Sequence, residues 1–210
     1  MFSMEKSIPY LKRDSFFKNH KIGVFILAVF ISLIVDIGIY KIEEFFEIAL
    51  FLEYLGVVII TFCYGIIPGL ISGFSCQLII ALVDQKSILF GLYGLNGVFL
   101  AFIIWLSFRK DSLYPEFLHL LFVYVITVVS ESFIGGTINN LIDVLERGET
   151  DWESYSWFIT ILIAQGIPVH ASNILGRIPV NLISQIINVL GGYCVARLIE
   201  YISSKITKTF

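Results

Sequence analysis

The chain has 210 residues, of which 57% are apolar, and a mean hydropathy of +0.87, against roughly 45–50% apolar content in soluble domains. It therefore reads as an all-α, polytopic membrane protein. At ~20 apolar residues per crossing it suits one domain of about six spans and leaves no room within it for a soluble catalytic domain. The formal net charge of −3 excludes little, because in a membrane protein the placement of charge along the chain carries the information.

Residues 1–21 are basic and aromatic, with Lys6, Lys12, Arg13, Lys18 and Lys21. Ile22–Tyr40 follows as a first span, too long for a signal-peptide core and without a small-residue cleavage site after it. The next connection is acidic (Glu43, Glu44, Glu47). A second apolar run extends from Ile48 to about Ile67 and breaks at Tyr64-Gly65-Ile66-Ile67-Pro68-Gly69, where proline and glycine interrupt helix. A third helix is expected from about Gly69 to Val83, then a polar turn with Asp84, Gln85 and Lys86. The fourth, Ile88 to Phe108, stops at Arg109-Lys110. The fifth, Phe117 to about Ile138, leads into acidic residues Asp143, Glu146, Glu149, Asp151 and Glu153. The apolar segment 157–169 is too short to cross unaided. The last helix is expected from Ile178 to about Ile202, followed by Lys205 and Lys208.

Cationic flanks at the N-terminus, at Arg109-Lys110 and at the C-terminus alternate with acidic connections. The positive-inside rule then predicts six spans with both termini cytoplasmic: a basic segment 1–21, a membrane domain 22–204 and a tail 205–210. The 157–169 segment is left on the outer side as a re-entrant or interfacial helix. Arg147 and Arg177 are the outward exceptions. Arg177 near the outer mouth suits an anionic ligand group, or equally an arginine snorkelling to the interface.

The last helix carries a polar ladder, Asn181, Ser184, Gln185 and Asn188. At 3.6 residues per turn Asn181, Gln185 and Asn188 project from one face, and amides at membrane depth cost free energy unless they are satisfied. Glu131, in Ser130-Glu131-Ser132 of the fifth helix, is an ionisable group within a span, for which function is the default hypothesis and a structural hydrogen bond the alternative. Gln77 and Asn96 divide evenly between ligand contact and interhelical bonding. The expected substrate-binding set is Gln77, Asn96, Glu131, Asn181, Gln185 and Asn188, with Arg177 at the mouth. Asp36 is read as reaching the surface. His170 and Asn173 are read as belonging to a solvated outer connection bracketed by Pro168 and Pro179. Cys63, Cys76 and Cys194 read as small packing residues rather than as disulfides or metal ligands.

Small residues recur four apart: Ala28 and Ser32 in helix one, Gly69 and Gly73 in helix three, with Gly91, Gly94 and Gly97 in helix four. Such pairs permit close helix approach in lipid, either within the chain or against another subunit. No Gly-x-x-x-x-Gly-Lys-Ser/Thr loop, H-E-x-x-H zinc motif or G-x-S-x-G nucleophile turn occurs, which argues against an enzyme and against an ATPase of its own.

The stretch from Phe51-Leu-Glu-Tyr-Leu-Gly-Val-Val to Tyr64-Gly-Ile-Ile-Pro-Gly-Leu-Ile-Ser-Gly73 resembles the substrate-binding S components of energy-coupling factor (ECF) transporters. Phe90-Gly-Leu-Tyr-Gly-Leu-Asn96-Gly, Gly135-Gly136-Thr137 and Ile178-Pro-Val-Asn-Leu-Ile-Ser184 resemble later parts of that family, over residues 22–200 in all. Where many relatives carry an Asp-Lys pair near the start of the last helix, this chain has Val180-Asn181. The resemblance implies a six-helix bundle in the cytoplasmic (inner) membrane of a bacterium that captures a vitamin-like small molecule or a metal ion outside. Such a bundle then topples against a transmembrane coupling subunit driven by two ATPases. It also implies partner docking through Ala28 and Ser32, no cofactor in this chain, ATP used only by the partners, and no nucleic acid. The alternative is a ligand-sensing membrane module that signals to a partner protein.

Overall fold

The structure, a computed structural model, describes residues 22–47, 50–108, 115–145 and 156–209. The cationic flanks at 1–21 and Arg109-Lys110, the 146–155 stretch with Arg147, and the side chain of Lys208 lie outside the described residues. All regular structure among the described residues is helical: α1 (Ile22–Phe46), α2 (Leu55–Tyr64), α3 (Ile66–Val83), a 3-10 turn (Ile88–Tyr93) feeding α4 (Gly94–Phe108), α5 (Glu116–Leu145), α6 (Ser156–Ala164) and α7 (Val169–Gln185). A π-helical stretch, Ile186–Gly191, continues α7 into α8 (Gly192–Thr209). Long runs rich in β-branched residues adopt helix here because a lipid-facing backbone must satisfy its own hydrogen bonds. Five helical stretches are long and apolar enough to cross a membrane: Gly23–Phe46, Ile66–Val83, Ile88–Phe108, Glu116–Leu145 and Val169–Ser203.

Side-chain contacts fix the direction of each helix. Ser32 meets Ser72, and Tyr40 donates to Asp84, so α1 and α3 run parallel. Tyr54, just ahead of α2, donates to the carbonyl of Tyr93 at the head of α4. At the opposite end Phe62 packs edge-on against Phe108 and Tyr193, with ring centroids 5.2 and 5.3 Å away. There, too, Arg197 of α8 pairs with Glu116 at the start of α5. Asn173, near the start of α7, donates to Asn140 near the end of α5. The chain therefore rises in α1, α3 and α5 and descends in α2, α4 and α7–α8. Both the start of α1 and the end of α8 lie at the lower end.

The second helix departs most from expectation. It begins at Leu55 rather than Ile48, because residues 50–54 turn inward and bury Glu53 and Tyr54. Ten residues rise only ~15 Å, short of the ~30 Å hydrocarbon core. That length is tolerated because α2 is enclosed by its neighbours, with Val57, Val58, Ile60 and Phe62 all buried. Gly65, at φ 95°, ends it in a left-handed conformation that glycine adopts without strain, and α3 starts at once with Pro68 in its first turn. The six expected spans thus become five long helices and one short, enclosed one.

Other boundaries move as well. Helix α1 continues to Phe46, so Glu43 and Glu44 belong to its last turn, and α5 continues to Leu145 rather than ending near Ile138. The last helix begins at Val169, not Ile178. Pro168 is its N-cap, and Pro179 lies inside a continuous helix instead of bracketing a loop. His170 and Asn173 are therefore helical, and Asn173 is buried rather than solvated. The π-helical irregularity precedes Gly192, where an added Cβ would lie 2.5 Å from a methyl of Val58.

Asp36 does not reach the surface. It is buried and accepts the Gly56 N–H at 2.5 Å, capping α2 from a different helix. Ala28 and Ser32 do not form a free docking groove, since they are 9% and 4% exposed and the Ser32 hydroxyl lies 2.7 Å from that of Ser72. The exposed side of α1 is instead Ile26, Leu27, Phe30, Ile31 and Ile34. The small residues of α3 and α4 likewise meet each other, with Gly73 against Gly97. All three cysteines are free; Cys63 and Cys76 pack in the interior, whereas Cys194 faces outward.

Candidate functional site

A cavity of about 410 Å³ lies at the upper end of the bundle. Its deep part is built from Gln77 of α3, Asn96 of α4, Glu131 of α5, Arg177 and Asn181 of α7, and Glu53 and Tyr54 of the inward-turned segment, all buried. Aromatic walls come from Phe51, Phe90 and Tyr93. Tyr40, Glu43, Glu44 and Glu47 at the end of α1, with Lys86 after α3, stand around the mouth. The volume and the mixture of apolar walls with a few convergent polar groups fit a small-molecule site.

Five of the seven expected site residues line this cavity, namely Gln77, Asn96, Glu131, Arg177 and Asn181. Gln185 and Asn188 do not; they stand behind it. Gln185 donates to Glu131 Oε2 at 2.5 Å, and Gln77 donates to Glu53 Oε1 at 3.0 Å, so each deep carboxylate is held by an amide. Asn188 donates to the Phe51 carbonyl at 2.7 Å, and Ser184 accepts the Phe51 N–H at 3.2 Å. Residue 51 lies outside any helix, so its backbone groups need such partners when they are withdrawn from water. The polar ladder therefore divides its work: Asn181 faces the cavity, while Ser184, Gln185 and Asn188 hold the groups that shape it.

The orientation of Asn181 follows from its neighbours. Ser132 donates its one hydroxyl hydrogen to the Val128 carbonyl at 2.7 Å, so its oxygen accepts from Asn181 Nδ2 at 2.9 Å. The amide oxygen of Asn181 is left without a hydrogen-bond partner among the described residues, as are Glu131 Oε1 and Asn96 Oδ1. Buried polar atoms are usually satisfied, so three such oxygens around one cavity require explanation.

Arg177 is neither at the mouth nor snorkelling. It is 3% exposed, with its guanidinium carbon 4.9 Å from the Phe51 ring centroid and 5.2 Å from that of Tyr93. It also donates to the Tyr93 hydroxyl at 3.2 Å, and that hydroxyl donates to Asn139. Gly135 makes the room, since a Cβ there would lie 2.7 Å from Arg177 Nη1.

Above the cavity a polar cluster ties α1 to α3. Asp84 accepts from Tyr40 and from Lys41 at 2.5 Å each, and Lys86 donates to Tyr40 at 3.2 Å. Desolvation acts to raise the Asp84 pKa, but the hydrogen bonds from Lys41 and Tyr40 outweigh it and hold the carboxyl below its usual value.

Sequence reading missed Phe51, Glu53, Tyr54, Phe90, Tyr93 and Tyr40. Glu53 did carry a signal: a carboxylate inside an otherwise apolar run implies that the run folds inward or serves a site. Among the described residues, no group of three or more His, Cys, Asp or Glu side chains is arranged to hold a metal ion. The chain matches no family model, and neither a curated protein nor a solved structure is significantly similar to it.

Proposed function

We propose that this chain captures a small molecule at the outer side of a bacterial cytoplasmic membrane, as the substrate-binding subunit of an ECF-type importer. One observation carries the binding reading: three residues that line a single cavity inside a membrane bundle, Asn96, Glu131 and Asn181, each keep a buried oxygen without a partner among the described residues. Each costs about 1–3 kcal/mol if left unsatisfied, a cost that bound ligand offsets. Among the described residues, the cavity walls contain no serine, threonine, cysteine or histidine, which favours binding over covalent chemistry.

Counting the enclosed α2 as a descending pass gives six passes, with the start of α1 and the end of α8 on the lower side. Together with the basic flanks in the sequence, this supports cytoplasmic termini and an outward-opening cavity, with α6 on the outer side. Delivery is assigned to partners: a transmembrane coupling subunit and two ATPases, which use the ATP. They dock on a face other than Ala28 and Ser32.

Native mass spectrometry of the gently purified protein, paired with pull-down from membranes, tests both parts. A retained small molecule and co-purified ATPases are expected. Loss of all ligand, with no saturable binding, would overturn the capture reading. A retained ligand without ATPases would overturn the importer assignment alone.

A further inference from the structure

We infer that the ligand is an organic cation: a protonated amine or similar N–H-bearing group carried on a flat, apolar body. This rests on the reading of the cavity as a ligand site, and three independent features of its lining point the same way.

The first is charge. Glu43, Glu44, Glu47, Glu53 and Glu131 face the cavity against only Lys86 and Arg177. Lys41 pairs with Glu44 at 2.7 Å, yet the entrance stays net negative, which concentrates cations there and repels anions. Arg177, which in the sequence favoured an anion, lies deep in the bundle, stacked on Phe51 and Tyr93 and donating to a phenol.

The second is hydrogen-bond polarity. Glu131 Oε1, Asn181 Oδ1 and Asn96 Oδ1 are acceptors with no protein donor. For Asn181 the sense is fixed, because Ser132 has already spent its hydrogen on Val128. Glu131, when ionised, can only accept. A carboxylate or phosphate would bring acceptors to acceptors, whereas an ammonium brings three donors.

The third is the wall. Phe51, Tyr54, Phe90 and Tyr93 line the same cavity, with Arg177 already over Phe51 and Tyr93 and Lys86 over Phe90. Such a wall packs against a flat apolar body, which accounts for that half of the ligand.

The test uses three probes that share an indole and differ only in the side-chain head: tryptamine (cation), tryptophol (neutral) and indole-3-propionate (anion). Each is titrated into the full chain in lipid nanodiscs after the co-purified ligand has been exchanged out. Tryptamine is expected to bind at least about tenfold tighter than tryptophol, the scale of one charge-assisted hydrogen bond, and indole-3-propionate not at all. Glu131→Gln should abolish most of the preference for tryptamine over tryptophol. Glu44→Gln with Glu47→Gln, both at exposed positions, should slow tryptamine association and flatten its salt dependence. Equal affinity for the three probes, or preference for the propionate, overturns the inference. Binding of none also overturns it; native mass spectrometry then separates the two readings, because a retained ligand spares the capture function and its absence does not.

Discussion

Replacing Gly73 by alanine adds one methyl group at the point where α3 and α4 touch. A Cβ there would lie 2.5 Å from the Gly97 carbonyl carbon and 2.8 Å from its oxygen. Ordinary carbon contacts begin near ~3.5 Å, so the two helices must separate by about 1 Å. Both partners are backbone and no side chain can rotate away, which puts the strain in the upper part of the ~1–3 kcal/mol typical of overpacking. Alanine's better helix propensity returns about 1 kcal/mol, leaving a net loss of about 1–2 kcal/mol. At Gly38 a new Cβ meets nothing within 4 Å. Gly38→Ala should therefore show only the propensity gain, and the two variants should differ by about 2–3 kcal/mol. Titrating each purified variant with SDS in mixed micelles, followed by circular dichroism, measures that difference. Gln77 lies one turn beyond Gly73 and Asn96 precedes Gly97, so the same separation widens the cavity and should weaken ligand binding. If Gly73→Ala proves as stable as Gly38→Ala, the close α3–α4 crossing is wrong.

Asn181→Leu removes a cavity acceptor while Ser132 keeps its bond to Val128, so folding should persist while affinity for the co-purified ligand falls about tenfold; calorimetric titration reads both. Gln185→Leu behaves differently, because Glu131 Oε2 loses the amide that holds it; SDS unfolding should register a loss of about 1–3 kcal/mol as well as weaker binding. The depressed pKa of Asp84 means that its cluster stabilises the fold above the ordinary carboxyl value of 3.8 and that this contribution disappears as pH falls through the lower folded value. Thermal unfolding of wild type and Asp84→Asn should therefore differ at pH 7 and converge in acid below ordinary carboxyl titration; a constant gap would refute the linkage. For topology, in a cysteine-free background Thr150→Cys should react with an impermeant maleimide in intact cells and Lys110→Cys only after permeabilisation, and the reverse pattern would invert the protein.

Hydropathy was enough to locate the long helices, because lipid demands continuous apolar runs, and polar residues inside those runs pointed to Gln77, Asn96, Glu131 and Asn181. Hydropathy could not reveal residues 50–54. Leu50, Phe51 and Leu52 are as apolar as a span, and only tertiary bonds to Glu43, Ser184 and Asn188 pull the backbone out of helix. Asp36 and Asn173 were misplaced for a related reason: their polarity is met by a partner distant in sequence, Gly56 in one case and Asn140 in the other. Pro179 looked like a helix break, but within a bundle a proline is accommodated because neighbouring groups satisfy the freed backbone. Arg177 was drawn to the mouth by its charge alone. The glycine at 135 that admits it to the interior is visible only in three dimensions.

The anchoring of Phe51 also bears on how fast the cavity can exchange its contents. This residue forms part of the aromatic wall, yet both of its backbone polar groups are tied to the last helix, through Ser184 and Asn188. It cannot swing aside as a free lid. Lifting it would break two hydrogen bonds together and strand two buried side chains, a cost on the order of 2–6 kcal/mol. Such an open form would be at most about a few per cent of the population at equilibrium. The remaining route is the rim between the ends of α1 and α3, where Glu44 and Glu47 are long and exposed. If the cavity holds a ligand as proposed, its exchange runs past that rim, beside the Tyr40–Asp84–Lys41 cluster, on the clock of surface side chains rather than that of a moving wall.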